Sequence, residues 1–234
     1  EGLFQARDRR GAVVFIHPST SPPGSQVPKL ALPYFLVEFV FDTTRAITNL
    51  LYSGTFERYP SIKYIVAHAG GAVPYLAWRL ALGQAMPGLR ENAPKGALHY
   101  LQRLYYDTAL SPSEQALASL LELVPHTQVL FGSDYPMAPE PVVKAETSTL
   151  EANTLLDADT RGAIDRGNAL ADLRFGEVEA FPEVGEGAGR EREVPLHRVE
   201  EFTVEIVELR HAVHGVGVCR VGQVEGRWSR ARER

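Results

Sequence analysis

The sequence has almost no cysteine. Its single cysteine, Cys219, cannot form a disulfide within the chain, which excludes the disulfide-stapled class of small secreted proteins. Proteins without disulfides are typical of reducing compartments, so the sequence predicts a cytoplasmic location.

The chain also lacks an excess of positive charge and any long hydrophobic run. Its formal net charge is -5 over 234 residues, whereas nucleic-acid-binding proteins usually carry a basic surface. No uninterrupted apolar run approaches the ~20 residues that cross a bilayer, and the first residues lack the pattern of a secretory signal. We therefore expect no nucleic-acid partner and no membrane span. Hydrophobic residues form 44% of the chain, enough for a core.

Four short apolar runs recur in the first part of the chain, and each resembles a buried strand. They lie at residues 11–17, 62–68, 104–107 and 129–134. Because strands that are apolar on both faces belong to parallel sheets covered by helices, these runs indicate one parallel sheet.

Helix-like segments separate the four runs. They are expected at about residues 36–53, 73–84 and 158–171, and in the Ala/Leu-rich run after residue 114. Ser111 and Glu114 have the spacing of a capping box, with Ser111 as the cap of that last helix. Alternation of strands and helices predicts βαβ units and an α/β fold.

Residues 1–176 hold four such βα units. An eight-unit (β/α)₈ barrel takes about 250 residues, so the pattern alone leaves half of a barrel and a four-unit open sheet as alternatives. Residues 177–234 are rich in arginine and glycine and contain no lysine. We interpret them as an irregular, weakly ordered extension or a small β appendage, with one strand predicted from the alternation at residues 201–207.

Three of the four runs end in a residue that can bind metal or move protons: His17, His68 and Asp134. Active sites lie at the carboxyl ends of parallel strands in barrels and open sheets. Imidazole nitrogen and carboxylate oxygen together suit zinc and related divalent ions. A single histidine after a strand is commonly a structural residue, but three such residues at equivalent strand ends favour a site.

Several segments carry a more specific resemblance. They are IHP (16–18), EFVFDTTR (38–45), YIVAHAGG (64–71), LFGSDYP (130–136) and GNA (167–169). From about residue 10 to 174, the chain resembles the aminocarboxymuconate-semialdehyde-decarboxylase-like branch of the amidohydrolase superfamily, whose fold is a TIM (β/α)₈ barrel. Within that branch, residues 38–45 look most like the 6-methylsalicylate decarboxylases of polyketide pathways.

The resemblance implies a role for four residues. His17 matches a metal ligand on the fifth strand of the family barrel. His68 matches a sixth-strand histidine that handles protons beside the metal, and Asp134 an eighth-strand aspartate that binds metal and also holds a proton. Arg79 matches an arginine that binds a substrate carboxylate. The implied activity is metal-dependent decarboxylation of a small aromatic or unsaturated carboxylic acid, with Zn²⁺ as the expected metal and a homodimer as the expected assembly.

The sequence departs from the family in one respect. Relatives carry a His-x-His pair on their first strand, and this sequence has none. We therefore expect a partial barrel without its first four βα units and with an incomplete metal site, since catalytic zinc normally has three protein ligands. Hydrolysis of an amide, ester or lactone, and a catalytically inactive fragment, remain alternative functions.

Other polar residues are interpreted as structural. His99 and His126 lack companions for metal binding, and Glu38 and Asp42 lie one helical turn apart without a partner that marks an acid–base pair. Asp107 ends the third run and is expected to support the site without a catalytic role. Cys219 has no accompanying motif of a nucleophile.

Overall fold

The computed structural model describes residues 2–20, 30–172, 202–210 and 218–226. Its strands are β1 (Val13–His17), β2 (Lys63–Val66), β3 (Tyr105–Asp107), β4 (Val129–Leu130), β5 (Phe202–Arg210) and β6 (Val218–Gly226). They form one sheet in the order β4-β3-β2-β1-β5-β6.

The first four strands are parallel and lie side by side in chain order. Val14 pairs with Tyr64, Ile65 with Tyr105, and Tyr106 with Val129. A doubly wound open sheet reverses its strand order at a switch point, whereas a barrel adds each new strand next to the previous one. The sequential order is therefore that of a barrel segment, as predicted.

Helices occupy the connections between the strands. Their bounds are α1 (Gly2–Arg9), α2 (Glu38–Tyr52), α3 (Thr55–Arg58), α4 (Val73–Ala81), α5 (Pro87–Asn92), α6 (Ala97–Leu101), α7 (Glu114–Leu123), α8 (Glu140–Glu151), α9 (Ala158–Gly162) and α10 (Asn168–Asp172). The helices predicted at 36–53, 73–84 and 158–171 are confirmed, the last of them with a π-helical stretch at Ala163–Gly167. Within the described part of the chain, no helix is both long and apolar enough to span a membrane.

The predicted cap of α7 was wrong by two residues. Ser113, not Ser111, is the N-cap, and its hydroxyl accepts a hydrogen bond from the Ala116 backbone N–H at 3.3 Å. Glu114 is consequently the first helical residue, and its carboxylate accepts a hydrogen bond from the Thr154 backbone N–H instead of closing a capping box. Both serines satisfy the cap preference, so the pattern did not distinguish them.

The two faces of the sheet bury different side chains. On β1, Val14 and Ile16 are 1% exposed and pack into the main core with residues of α2, α4 and α7. The alternate residues Val13 and Phe15 belong to a smaller apolar cluster with Ile65 and Leu130. Since side chains alternate along a strand, His17 lies on the same face as Val13 and Phe15, opposite the helices.

A hairpin of late residues extends the sheet beyond β1. β5 pairs with β1 in parallel, with Val14 opposite Glu205, and β6 pairs with β5 antiparallel. The strand predicted at residues 201–207 is confirmed, while β6 was not predicted. The proposed boundary at residue 176, and most of the extension, lie outside the described residues.

Candidate metal centre

Three side chains converge at the carboxyl end of the sheet. The candidate ligand atoms of His17, His68 and Asp134 all lie within 4.8 Å of one another. His17 Nε2 is 3.0 Å and His68 Nε2 is 3.7 Å from Asp134 Oδ1, and the two imidazole rings meet edge to face. The structure therefore brings together the three residues that the strand-end pattern singled out.

The segment after β4 produces this convergence. β1 and β4 are three strand spacings apart, which in a flat sheet amounts to roughly 14 Å. Asp134 nevertheless contacts His17, because the chain continues for four residues beyond β4 and folds back over the sheet. Asp134 itself has a φ of 52°, a left-handed conformation that few residues other than glycine adopt.

His68 lies in a tight turn two residues after β2. His68, Ala69, Gly70 and Gly71 all have positive φ values. A Cβ on Gly71 would overlap the Val40 carbonyl oxygen of α2, so only glycine permits this approach. The turn is also tied to α2 by the Ala72 N–H, which donates to Thr44 Oγ1 at 2.9 Å. This packing fixes His68 above the end of the strand.

The His17 imidazole and the Asp134 carboxylate are in direct contact. His17 Nδ1 is 3.0 Å from the Pro18 carbonyl oxygen, and Nε2 faces Asp134 Oδ1. Both partners are acceptors, so each contact is a hydrogen bond when the facing ring nitrogen carries a proton. Burial lowers the pKa of His17, but the hydrogen bond and the charge of Asp134 outweigh it and raise the pKa above its ordinary value.

The carboxyl of Asp134 shows the reciprocal effect. Burial raises its pKa, but the adjacent His17 and His68 imidazoles outweigh burial and hold the pKa well below its usual range. A stable carboxylate is therefore available next to two imidazole nitrogens.

His68 adds a further donor atom. Its side chain is 4% exposed, and Nε2 is buried without a hydrogen-bond partner in the described part of the chain. Buried polar atoms normally have a partner, so this nitrogen points to a ligand or a reacting group. Two imidazole nitrogens and one carboxylate form a donor set suited to Zn²⁺ or a related divalent ion.

Arg79 is not part of this cluster. It lies on the exposed side of α4, next to Trp78, which is 74% exposed. Its predicted role in substrate binding stays a prediction. His99 and His126 also lie outside the cluster.

Three carboxylates hold the loops around the site; Glu38 and Asp42 were interpreted from the sequence as structural, and Glu146 was missed. Asp42 accepts a hydrogen bond from the Ser19 N–H, two residues after His17, and Glu38 accepts one from the Leu30 N–H. Glu146, in α8, is buried, and its Oε2 accepts a hydrogen bond from the Leu110 N–H at 2.7 Å. Glu38 and Asp42 lie one helical turn apart, and this spacing indicates that both side chains face the same loop. No feature of the sequence distinguishes Glu146 from a solvent-exposed helix residue.

Comparison with known proteins identifies the family. The model of the family described as "Amidohydrolase" matches residues 2–175. A 6-methylsalicylic acid decarboxylase of Penicillium expansum is 39% identical over 163 residues, covering 69% of this chain and 50% of the relative. A 2-amino-3-carboxymuconate-6-semialdehyde decarboxylase of Dictyostelium discoideum is 31% identical, covering 73% of this chain and 47% of the relative.

The fold has solved counterparts too. The crystal structure of a 5-carboxyvanillate decarboxylase of Novosphingobium aromaticivorans, complexed with manganese and a nitrobenzoic acid, superposes with a TM-score of 0.59. It is 24% identical, and the match covers 71% of this chain and 49% of that one. This likeness supports the partial barrel.

The chain spans about half the length of the curated relatives it matches. The segments that carried the sequence resemblance, from about residue 10 to 174, fall within the matched region. The chain belongs to the amidohydrolase superfamily, in the branch that contains aminocarboxymuconate-semialdehyde and 6-methylsalicylate decarboxylases.

Proposed function

We propose that this chain forms part of the active site of a metal-dependent decarboxylase acting on a small aromatic carboxylic acid of the 6-methylsalicylate type. The convergence of His17, His68 and Asp134 on one point carries the proposal. The names of two relatives support the reaction class, since both are decarboxylases.

In this proposal, His17 Nε2 and the Asp134 carboxylate hold a divalent ion, and Zn²⁺ is the ion we expect from their chemistry. A bound divalent ion would supply Lewis-acid stabilisation of the substrate's carboxylate and neighbouring oxygen. The Pro18 carbonyl 3.0 Å from His17 Nδ1 supports this assignment. It fixes one proton on Nδ1, so Nε2 becomes the nitrogen that binds the ion once its own proton is displaced.

His68 is assigned to proton delivery. Decarboxylation breaks the bond between the ring carbon and the carboxylate, the electron pair returns to the ring, and carbon dioxide leaves as a proton bonds to that carbon. His68 Nε2 is buried, unpartnered and 3.7 Å from Asp134 Oδ1, so it can take up a proton beside Asp134 and present it to the substrate. A positioned acid of this kind typically contributes about 10²–10⁴-fold to the rate.

Metal binding is the first test. The full chain is titrated with Zn²⁺ and with Mn²⁺ in competition with a chromophoric chelator, together with His17→Asn and, as a matched control, His126→Asn. His126 is exposed and outside the cluster, so its variant should bind like the parent. His17→Asn should bind at least ~10²-fold more weakly, as loss of even supporting groups around a metal costs 10–100-fold. Equal affinity of all three chains would refute the assignment of the metal to His17.

Product analysis is the second test. The metal-loaded chain is incubated with 6-methylsalicylate, and released carbon dioxide and the decarboxylated phenol are quantified. Parallel incubations with an aryl ester and a lactone test the hydrolase alternative. Release of carbon dioxide that disappears in His68→Asn would support the proposal. Hydrolysis without decarboxylation would count against it, and no turnover by a chain that binds metal would favour the inactive fragment.

We also propose that the exposed side of α4 forms a homodimer contact and brings Arg79 to a carboxylate substrate. Tyr75 is 83% and Trp78 74% exposed on this helix, and Leu82 follows at 51%. An apolar patch of this kind next to a guanidinium is typical of an interface. Light scattering after chromatography tests it: a parent dimer and a monomeric Trp78→Glu variant are expected, and a monomeric parent would exclude the contact.

A further inference from the structure

Asp107 holds the turn that carries His68. It is the last residue of β3 and is 5% exposed. Its Oδ1 accepts hydrogen bonds from the backbone N–H of His68 at 2.7 Å and of Ala109 at 3.1 Å. We propose that Asp107 is a positioning residue, which sets the direction of the His68 imidazole by fixing the backbone of that residue. The catalytic meaning of this inference rests on the proposed function.

His68 needs such an anchor because its backbone conformation is unfavourable. His68 has a φ of 57° and Ala69 a φ of 53°, and a residue with a Cβ is strained in this left-handed region. Strained residues persist where surrounding contacts hold them. A hydrogen bond to a carboxylate is stronger than one to a neutral acceptor, and the His68 N–H donates to the carboxylate at a short distance. The energy of that bond therefore offsets the strain at the residue that carries the ring.

The segment after β4 leaves room for this carboxyl. A Cβ on Gly132 would lie 2.9 Å from both Cβ and Cγ of Asp107. Gly132 is also held in place, because its N–H donates to Thr108 Oγ1 at 3.2 Å. The chain after β4 thus packs directly against Asp107. Asp107 therefore contacts both the turn that carries His68 and the segment that leads to Asp134.

A second carboxylate offers a matched control. Asp8 Oδ1 accepts a hydrogen bond from the Ser61 N–H at 2.8 Å, just before β2 begins. Asp8 and Asp107 therefore hold the same strand at its two ends through the same kind of bond. Only Asp107 is next to the candidate metal centre.

The test uses ¹H–¹⁵N spectra and amide hydrogen exchange of the full chain for the parent, Asp107→Ala, Asp107→Asn and Asp8→Ala. The short bond to a carboxylate places the His68 amide proton downfield and protects it from exchange. Asp107→Ala should move this resonance upfield, raise its exchange rate at least ~10-fold and shift the His68 ring signals. Asp107→Asn keeps an acceptor oxygen at the same place and should retain most of the protection. Asp8→Ala should change Ser61 and leave His68 unchanged.

A folded Asp107→Ala chain with unchanged His68 amide and ring signals would overturn the proposal. If Asp107→Ala does not fold, Gly132→Ala tests the same contact by displacing the carboxyl, and unchanged His68 signals in that variant would overturn it equally. In a chain that turns over its substrate, Asp107→Ala should lower kcat about 10²-fold with little change in KM, the effect of a misplaced catalytic group. A chain that binds no metal, yet whose His68 amide depends on Asp107, would refute the proposed function and leave the positioning role standing.

Discussion

Replacing Gly71 with alanine should destabilise the folded chain by roughly 3–7 kcal/mol. Gly71 has φ 65° and ψ -127°, a conformation that costs a residue with a Cβ about 1–3 kcal/mol. The new Cβ would overlap the Val40 carbonyl oxygen and lie 2.8 Å from Thr44 Oγ1. Forced backbone shifts add about 1–3 kcal/mol, and loss of the hydrogen bond from the Ala72 N–H to Thr44 Oγ1 adds about 1 kcal/mol.

Two other glycines separate these contributions. Gly96 has a φ of 91°, and a Cβ added to it would have no heavy atom within 4 Å. Gly96→Ala should therefore lose only the stability that the unfavourable backbone conformation costs, about 1–3 kcal/mol. Gly88 lies in α5 with open space around it and no positive φ. Gly88→Ala should leave stability unchanged or raise it by up to about 1 kcal/mol.

Urea denaturation followed by far-UV circular dichroism measures all three variants against the parent. The expected order of stability is Gly88→Ala, then Gly96→Ala, then Gly71→Ala as the least stable. If Gly71→Ala matches Gly96→Ala within experimental error, the close approach of the His68 turn to α2 does not exist. The fixed position of His68 would then need another explanation.

Three further predictions concern protonation, a buried amide and metal affinity. Burial raises the pKa of Asp107 from 3.8 to about 6, so the folded chain holds this proton more tightly than the unfolded chain, and the stabilising effect is lost as pH rises through about 6. Relative to Asp107→Asn, the parent should therefore lose roughly 2.5 kcal/mol between pH 4 and pH 7, measured by denaturation at each pH. Asn168 Nδ2 donates to the carbonyls of His126 and Val129 at 2.7 and 2.8 Å. Asn168→Ala should therefore lower the free energy of unfolding by about 2–4 kcal/mol in the same assay. The control Asn92→Ala removes a single side-chain hydrogen bond and should lower it by about 1 kcal/mol. Zn²⁺ affinity should fall about tenfold per pH unit below the raised pKa of His17, because the metal must displace the proton of the imidazole. Chelator competition at several pH values measures this dependence. The same dependence of affinity on pH in His17→Asn would contradict the prediction.

The sequence was sufficient to place the four parallel strands, β5 and three of the site residues. The apolar runs ending at His17, His68 and Asp134 contain β1, β2 and β4, and parallel strands deliver their carboxyl ends to one edge. That general geometry predicted a shared edge, whereas the contact of Asp134 with His17 depends on the segment after β4. The resemblance to the superfamily added the expected roles of these three residues. The structure shows their geometry, and the measurements of metal binding and turnover test their chemistry.

Other features depended on contacts that no local pattern encodes. The run at residues 129–134 predicted one strand, but only Val129–Leu130 pair with β3, because the chain then turns to bring Asp134 back over the sheet. The choice of Ser113 over Ser111 as cap, and the inward direction of Glu146, are likewise set by neighbouring elements. Asp107 was expected to support the site, but its bond to the His68 N–H follows from a backbone conformation that sequence spacing does not reveal.

The pairing of β5 with β1 has a consequence for how the chain reaches its folded state. Val14 is opposite Glu205, so this contact closes a loop of about 190 residues, whereas β1 and β2 are joined by a connection of about 45. Long loops are slower and entropically more demanding to close. We therefore expect the four parallel strands to assemble first, with β1 as a temporary edge that is covered only when the late hairpin docks. Pulse-labelled exchange during refolding would detect this order as delayed protection of the amides in Phe202–Arg210.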